Sequence, residues 1–123
     1  MKVALTVWEN RISPLFDSAR MLLIVDIVDR METGRCFESF HCESPFSRAV
    51  RLSDLKIEVL ICGAVSNLFA DVIEARGIRI IPFVAGLVDE VLDAYLTDRL
   101  DNSEFQMPGC KTGNNKGFRE ENQ

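Results

Sequence analysis

The stretch from residue 58 to residue 84, EVLICGAVSNLFADVIEARGIRIIPFV, decides the fold. Glu58–Cys62 and Ile78–Val84 are short apolar runs of the kind that form buried strands. Between them the pattern of a helix begins near Ser66, and it ends at Gly77, where a left-handed turn is cheap. A strand, a helix and a strand in this order cross over right-handedly and place both strands parallel in one sheet. The chain is therefore predicted to be an α/β protein.

Upstream, three further strands are predicted. Lys2–Trp8 is β-branched and almost continuously apolar, as expected for a strand buried on both faces. Met21–Asp29 repeats this character, Arg30–Arg35 supplies a turn, and Cys36–Cys42 alternates apolar with polar residues. These features predict a hairpin whose second strand is the edge of the sheet.

Two more helices complete the pattern. Ser44 and Pro45 can cap and open a helix that runs to about Lys56, with Arg48 on its polar face. From Leu87 onward, apolar residues recur at helical spacing. The predicted element order is βββαβαβα, in a three-layer α/β domain with a mixed five-stranded sheet of strand order 3-2-1-4-5.

Length and composition limit the domain organisation. The 123 residues suffice for one domain and not for two, and 47% hydrophobic residues can form a core. Residues 101–123 are mostly polar and show no apolar periodicity. We predict one domain over residues 1–100 and a flexible polar tail over residues 101–123.

The charge balance and the termini bear on partners and location. With 14 Lys and Arg against 19 Asp and Glu, the net charge of −5 argues against nucleic acid as a partner. No apolar run approaches the roughly 20 residues of a membrane helix, so no membrane association is expected. Without a signal-peptide pattern at the N-terminus, the chain is expected to be cytoplasmic and its four cysteines to be reduced.

The candidate binding site follows from the predicted topology. Ligands of open α/β sheets bind where the connections reverse direction, here between the first and fourth strands. Loops 9–14, 63–67 and 85–86 should meet there. Exposed amides and positive charge suit an anion, and the candidate residues are Arg11, Ser13, Gly63, Ala64, Ser66 and Asn67. Taken by itself, this pattern favours a purely structural role, in which the glycines serve tight turns and Ser66 caps its helix.

Catalytic constellations are not found. His41, the single histidine, is predicted on the edge strand, too far away to activate Ser13 or Ser66. The central strands offer no paired carboxylates for a two-metal site, and no phosphate-loop or full dinucleotide motif occurs. The chain is therefore predicted not to be an enzyme.

The cysteines offer the softest candidate ligands. Cys36 and Cys42 would lie roughly 20 Å apart along one strand, which excludes one shared metal ion and favours structural roles. Cys62 is predicted at the end of the fourth strand on the crevice rim, and Cys110 lies in the polar tail. Their thiolates would suit iron or an iron–sulfur cluster. A buried Cys62 and an uninvolved Cys110 are an equally open reading.

The sequence resembles a known family over about residues 1–100. It is similar to the dinitrogenase iron-molybdenum-cofactor biosynthesis domain, which occurs in nitrogenase accessory proteins and as small stand-alone proteins. The segments that carry the resemblance are Lys2–Leu5, Arg11–Ala19, Gly63–Ser66, Glu74–Ile78 and Val88–Leu92. Many relatives have a histidine and a glycine on either side of Phe16, where this chain has Leu15 and Asp17.

The resemblance implies a fold and a function. The fold would be ribonuclease-H-like, and the function would be non-enzymatic binding or carrying of an iron–sulfur or iron–molybdenum cluster. A cluster donor or acceptor protein would then be a partner, and pairing of the edge strand in a homodimer stays open. Two alternatives also stay open: a binding module for a small phosphate or nucleotide, and a protein-interaction domain without a small ligand.

Overall fold

The computed structural model describes residues 1–40, 44–100 and 105–107. The strands and helices, in chain order, are β1 (Lys2–Trp8), β2 (Arg11–Ile12), β3 (Met21–Val28), β4 (Met31–Ser39), α1 (Pro45–Asp54), β5 (Val59–Ile61), α2 (Asn67–Glu74), β6 (Arg79–Ile81) and α3 (Val88–Leu96). A short 3-10 helix, Phe16–Ser18, precedes β3. The prediction of a mixed α/β fold is confirmed. None of the helices in the described ranges has the length and apolar character needed to cross a membrane.

The sheet is mixed and centred on β1. Its strands lie in the order β4-β3-β1-β5-β6, and β2 lies off this path, paired with the end of β1. The β4-β3-β1 half is antiparallel, whereas β1, β5 and β6 are parallel to one another. The carboxyl ends of these three parallel strands therefore share one edge of the domain, and β2 lies there too.

The β3–β4 hairpin differs from the prediction. The turn consists of Asp29 and Arg30 alone, with φ angles of 53° and 64°. Two consecutive residues with positive φ suit the twist of a tight hairpin. The edge strand consequently begins at Met31 rather than Cys36 and ends at Ser39. After Met31 the strand continues with Glu32, Thr33, Gly34 and Arg35, which are mostly exposed, and this composition resembles that of a turn. His41 and Cys42 lie outside the described residues.

The core consists of two apolar layers, one on each face of the sheet. One layer packs under α3 and includes Val3, Leu5 and Val91. The other packs under α1 and α2 and includes Phe16 and Leu60. Residues of β1 alternate between the two layers, which explains why that strand reads as a nearly continuous apolar run.

The described residues after residue 100, which are 105–107, contribute to the core. Phe105 is buried in the α3 layer, and its carbonyl oxygen accepts a hydrogen bond from the Ala85 amide at 2.8 Å. The Met107 amide donates to the Phe83 carbonyl oxygen at 3.0 Å. The expectation that residues 101–123 bury too little surface to order is thus wrong at Phe105. The division into a domain and a flexible tail otherwise stays a prediction.

Candidate functional site

The three predicted loops do meet at the carboxyl end of the sheet. The Ile12 amide donates to the Gly86 carbonyl oxygen at 3.0 Å, which joins the first loop to the third. The Ala64 amide donates to the Pro14 carbonyl oxygen at 2.8 Å, and the Phe16 amide donates back to the Ala64 carbonyl oxygen at 2.7 Å. The loops therefore close on one another through their backbones, and the Ala64 amide is used within the chain.

Gly63 lies directly beneath this crossing. A Cβ atom at this position would lie 2.5 Å from the Pro14 carbonyl oxygen and still closer to the Ser13 carbonyl oxygen. Ser13 is itself buried, and its hydroxyl donates to the Leu15 carbonyl oxygen at 3.4 Å. The glycine is thus required by close approach of the chain to itself, and the space between β1 and β5 is filled.

The N-terminus of α2 already has an anion beside it. Ser66 caps the helix, and its hydroxyl accepts a hydrogen bond from the Phe69 amide. The Ser66 amide donates to Asp17 Oδ1 at 3.3 Å. A carboxylate at this end of a helix is stabilised by the unpaired amides and by the helix dipole. Of the predicted residues here, Asn67 is exposed in the first turn of α2.

Cys62 does not lie on a rim. Its side chain is fully buried in the layer under α1 and α2. Burial, assisted by the nearby Asp17 carboxylate, raises the pKa of the Cys62 thiol to about 12. A neutral, enclosed thiol cannot serve as an accessible ligand, so the predicted rim position is wrong. Cys110 lies outside the described residues, within which no group of three or more His, Cys, Asp or Glu side chains could hold a metal ion.

The loop before β3 is anchored by Arg48, which the sequence placed on an exposed helix face. Arg48 is instead 4% exposed, and its Nη1 donates to the carbonyl oxygens of Phe16 and Ala19, each at 3.0 Å. Its guanidinium also lies 4.5 Å from the ring centroid of Phe40. The charge is tolerated in the core because carbonyl oxygens and aromatic faces replace water around it.

An open groove lies on the other side of β1 from the closed crevice. Its volume is about 460 Å³. We call it the Trp8 groove, and its lining residues are Val7, Trp8, Ser13, Pro14, Leu15, Ser18, Ala19, Arg20 and Met21. Trp8 and Leu15 are 58% and 53% exposed and line the same groove, so together they form a local apolar patch. The groove therefore combines an apolar wall with one basic residue, Arg20.

Arg11 flanks the same groove. It lies on β2 and pairs with Trp8 of β1 in antiparallel register. Residues directly opposite each other in such a pair project to the same face of the ribbon. Arg11 is exposed and stands beside Trp8, so a second positive charge belongs to this end of the domain.

A larger depression, of about 570 Å³, lies at the opposite end of the sheet. Met1 and Arg79 line it beside the amino ends of β1 and β6. Two carboxylates, Asp29 and Asp98, lie there beside Arg30, Arg79 and the N-terminal ammonium of Met1. It contains none of the residues that the sequence singled out. The Trp8 groove is therefore the better candidate site.

Sequence reasoning missed Trp8, Arg20 and Asp17. The signal for Trp8 was available, because the only tryptophan of the chain ends the first strand next to the predicted loops. Asp17 was visible only as a departure from the pattern of similar proteins. Nothing in the spacing of Arg20 distinguishes it from any other surface arginine.

Solved structures of other proteins have the same fold. The crystal structure of a protein called PH0822 matches with a TM-score of 0.76 at 16% identity, covering 80% of this chain and 93% of that one. A candidate dinitrogenase of Methanocaldococcus jannaschii matches at 0.66 and 20% identity, covering 85% and 96%. The apo form of the orange protein of Desulfovibrio gigas matches at 0.69 and 17% identity, covering 85% and 94%. These structures share the fold.

Among curated proteins, no sequence matches. The family model described as dinitrogenase iron-molybdenum cofactor matches residues 1–98, which is most of the chain. That range includes every described strand and helix and all of the Trp8 groove. The chain belongs to the dinitrogenase iron-molybdenum cofactor family.

Proposed function

We propose that this chain binds an anionic metal–sulfur cluster, of the iron–sulfur or iron–molybdenum type, in the Trp8 groove and carries it as cargo. The observation that supports this most is the combination of a largely apolar lining with Arg20 in the groove and Arg11 beside it. Family membership supports the class of cargo.

The chemistry of the lining suits such a cargo. The sulfides of a metal–sulfur cluster are large, polarisable and weak hydrogen-bond acceptors, so apolar and aromatic contacts complement them. A guanidinium supplies positive charge and several donors in a fixed plane. Because the groove is partly apolar, the attraction between Arg20 and an anion is screened less than at an open surface.

The proposed binding is non-covalent. None of the nine described residues that line the groove is a cysteine or a histidine, and none carries a carboxylate. A cluster held without metal–thiolate bonds can be released intact, as a carrier requires. The same lining offers no acid–base pair, which supports a non-enzymatic role. Whether Cys110 adds a thiolate from the tail stays a prediction.

The groove is preferred to the crevice on geometric grounds. The Ala64 and Ser66 amides, which would have faced an anion there, already donate to Pro14 and Asp17. The same observation weakens the alternative of a small phosphate or nucleotide ligand at these amides. We also propose that the fold is of the ribonuclease-H-like type, and that donor and acceptor proteins contact the exposed Trp8 and Leu15 side chains.

Anaerobic reconstitution tests the proposal. The full chain is incubated with ferrous iron and sulfide, or with tetrathiomolybdate, and desalted before visible absorption and bound metal are measured. We expect retained colour, and about fivefold weaker binding in Arg20→Ala, a loss of roughly 1 kcal/mol. Arg30→Ala, which removes an exposed arginine outside the groove, is the matched control and should bind normally. Colourless protein, or equal loss in both variants, would refute the proposal, as would binding of inorganic phosphate or ATP in its place.

A further inference from the structure

Strand β4 is a long edge strand with an open outer side. It spans Met31–Ser39, and most of its residues are exposed. Among the described residues, only β3 pairs with it. Two of the features that protect native edge strands, lysines and prolines, are absent from Met31–Ser39, although the strand carries Glu32, Arg35 and Glu38 and a bulge. The strand is therefore free to pair with another strand.

The direction of the backbone groups on this edge can be read from one hydrogen bond. The Phe40 amide donates to the Arg20 carbonyl oxygen at 2.7 Å, just beyond the pair Met21–Ser39. Hydrogen-bonded pairs alternate along an antiparallel ladder, so Cys36, opposite Ile24, directs its backbone toward β3. The backbone groups of Arg35, Phe37 and Ser39 consequently point outward.

These directions restrict how a second copy of β4 could pair. Hydrogen bonds between the two copies require that a residue with outward backbone groups lies opposite another such residue. Because these residues alternate along β4, the two-fold axis must pass through a residue and not between two residues. An axis at Arg35 would oppose two Arg35 side chains and also place Glu32 opposite Glu38. Like charges directly opposite each other destabilise a pair of strands.

An axis at Cys36 avoids these clashes. Arg35 of one copy then lies opposite Phe37 of the other, which is 60% exposed and available for a cation–π contact. The Arg35 guanidinium is held in place by ion pairs with Glu32 and Asp89. In this alignment the two copies pair through residues 34–38 of β4. These residues lie in the part of the strand whose pairing with β3 is regular, before the register shift between Asp26 and Ile27 of β3.

We propose that this chain forms a homodimer in which β4 pairs antiparallel with β4 of a second copy, about a two-fold axis at Cys36. The partner is a second copy because the register is self-complementary in both hydrogen bonding and charge. The two sheets then continue as one across the axis. This dimer does not depend on the proposed cluster binding.

The axis brings two exposed thiols together and provides a direct probe. Cys36 is free and exposed. In a non-hydrogen-bonded antiparallel pair the Cα atoms lie about 4.5 Å apart, within the range that a disulfide can bridge. Diamide converts two such thiols to a disulfide by taking up their two electrons and two protons across its N=N bond.

A cysteine scan tests the register. The background variant carries Cys42→Ser and Cys110→Ser in the full chain. Cys62, which is buried, is retained, and one exposed cysteine is compared at three positions: native Cys36, and Arg35→Cys or Phe37→Cys, each combined with Cys36→Ser. We expect diamide to give a disulfide-linked dimer at least tenfold faster at position 36 than at 35 or 37. Faster linkage at either neighbour would overturn the proposed axis.

Sedimentation equilibrium under reducing conditions tests the dimer without crosslinking. Over protein concentrations up to about 200 µM, we expect the fraction of dimer to rise with concentration. Phe37→Arg, which places like charges opposite each other, should weaken it at least tenfold. Leu68→Arg makes the same change at a similarly exposed site on α2 and should leave it intact. A chain that stays monomeric throughout, or equal effects of both variants, would overturn the proposal.

Discussion

Asp17 accepts a hydrogen bond from the backbone amide of Ser66, with 3.3 Å between Oδ1 and N, so the first turn of α2 carries an anion from its own chain. The loop before β3 is thereby fastened to the helix that follows β5. Together with the Pro14–Ala64 hydrogen bond, this contact closes the crevice between β1 and β5. The closed crevice directs the search for a ligand to the Trp8 groove.

Removal of the Asp17 charge should destabilise the fold slightly. Asp17→Asn keeps an oxygen acceptor but loses the interaction with the helix dipole, and we expect the free energy of unfolding to fall by about 0.5–1 kcal/mol. Urea unfolding measures the change. Asp71→Asn, further along α2, is the control and should have a smaller effect. An equal effect of both substitutions would show that the position at the helix end is unimportant.

Gly63→Ala should destabilise the fold far more than the addition of one methyl group usually does. Its Cβ would overlap backbone oxygens of Ser13 and Pro14, which cannot rotate away as a side chain could. We expect a loss of about 3 kcal/mol or failure to fold. In Gly34→Ala the new Cβ meets only the Asp26 side chain at 3.8 Å, so a change within about 0.5 kcal/mol is expected. Similar unfolding midpoints for the two variants would contradict the crossing at Gly63.

Arg48→Ala should cost more stability than loss of a surface charge. It removes hydrogen bonds to Phe16 and Ala19 and leaves buried carbonyl oxygens without their donor, for which we expect a loss of about 3 kcal/mol. Arg51 lies three residues after Arg48 on α1 and forms a half-exposed ion pair with Glu38. Arg51→Ala breaks this pair and should lower the free energy of unfolding by less than about 1 kcal/mol. Thermal or urea unfolding of the two variants measures the two losses of stability. Comparable losses would mean that Arg48 does not anchor the loop.

The sequence predicted the mixed α/β fold because apolar periodicity and capping residues are local signals. The Gly77 turn and the strands around it are examples, since each depends on neighbours within a few residues. Arg48 was placed on the wrong face because helical periodicity treats any charge as exposed. Only the tertiary fold supplies the carbonyl oxygens and the Phe40 ring that enclose it.

The candidate site was predicted only in part, for a similar reason. Topology brought the three loops to one edge of the sheet, as expected. It could not show that the Ala64 amide would be consumed by Pro14, because that contact joins residues about fifty positions apart. Nor could strand parity show that Cys62 turns into the core rather than toward solvent.

The two described cysteines should differ sharply in reactivity. Cys36 is exposed, whereas Cys62 is enclosed with a neutral thiol. In a Cys42→Ser, Cys110→Ser variant, a thiol reagent such as Ellman's reagent should label one cysteine rapidly at pH 8 and the second only after unfolding. Peptide mapping assigns the label. Rapid labelling of Cys62 in the folded chain would contradict its burial.

Cys62 should also make stability depend on alkaline pH. Its folded-state pKa of about 12 exceeds the ordinary value of 9.0, so the unfolded chain loses the proton first as the pH rises. The stabilisation is fully present below about pH 9 and is lost progressively toward pH 12, by up to about 1.4 kcal/mol per pH unit. Between pH 8 and pH 11, the free energy of unfolding measured in urea should therefore fall more steeply for the native chain than for Cys62→Ala. Parallel pH profiles would count against the raised pKa.

The most direct test of the central claim uses Trp8, the only tryptophan of the chain and part of the groove wall. Its fluorescence lifetime is followed while tetrathiomolybdate, a molybdenum–sulfur anion, is added anaerobically to the native chain and to the Arg20→Ala and Arg30→Ala variants. We expect a saturable shortening of the lifetime in the native chain and in Arg30→Ala, and about fivefold weaker binding in Arg20→Ala. An unchanged Trp8 lifetime while the protein retains the metal would contradict the claim, since the anion would then be bound away from the groove.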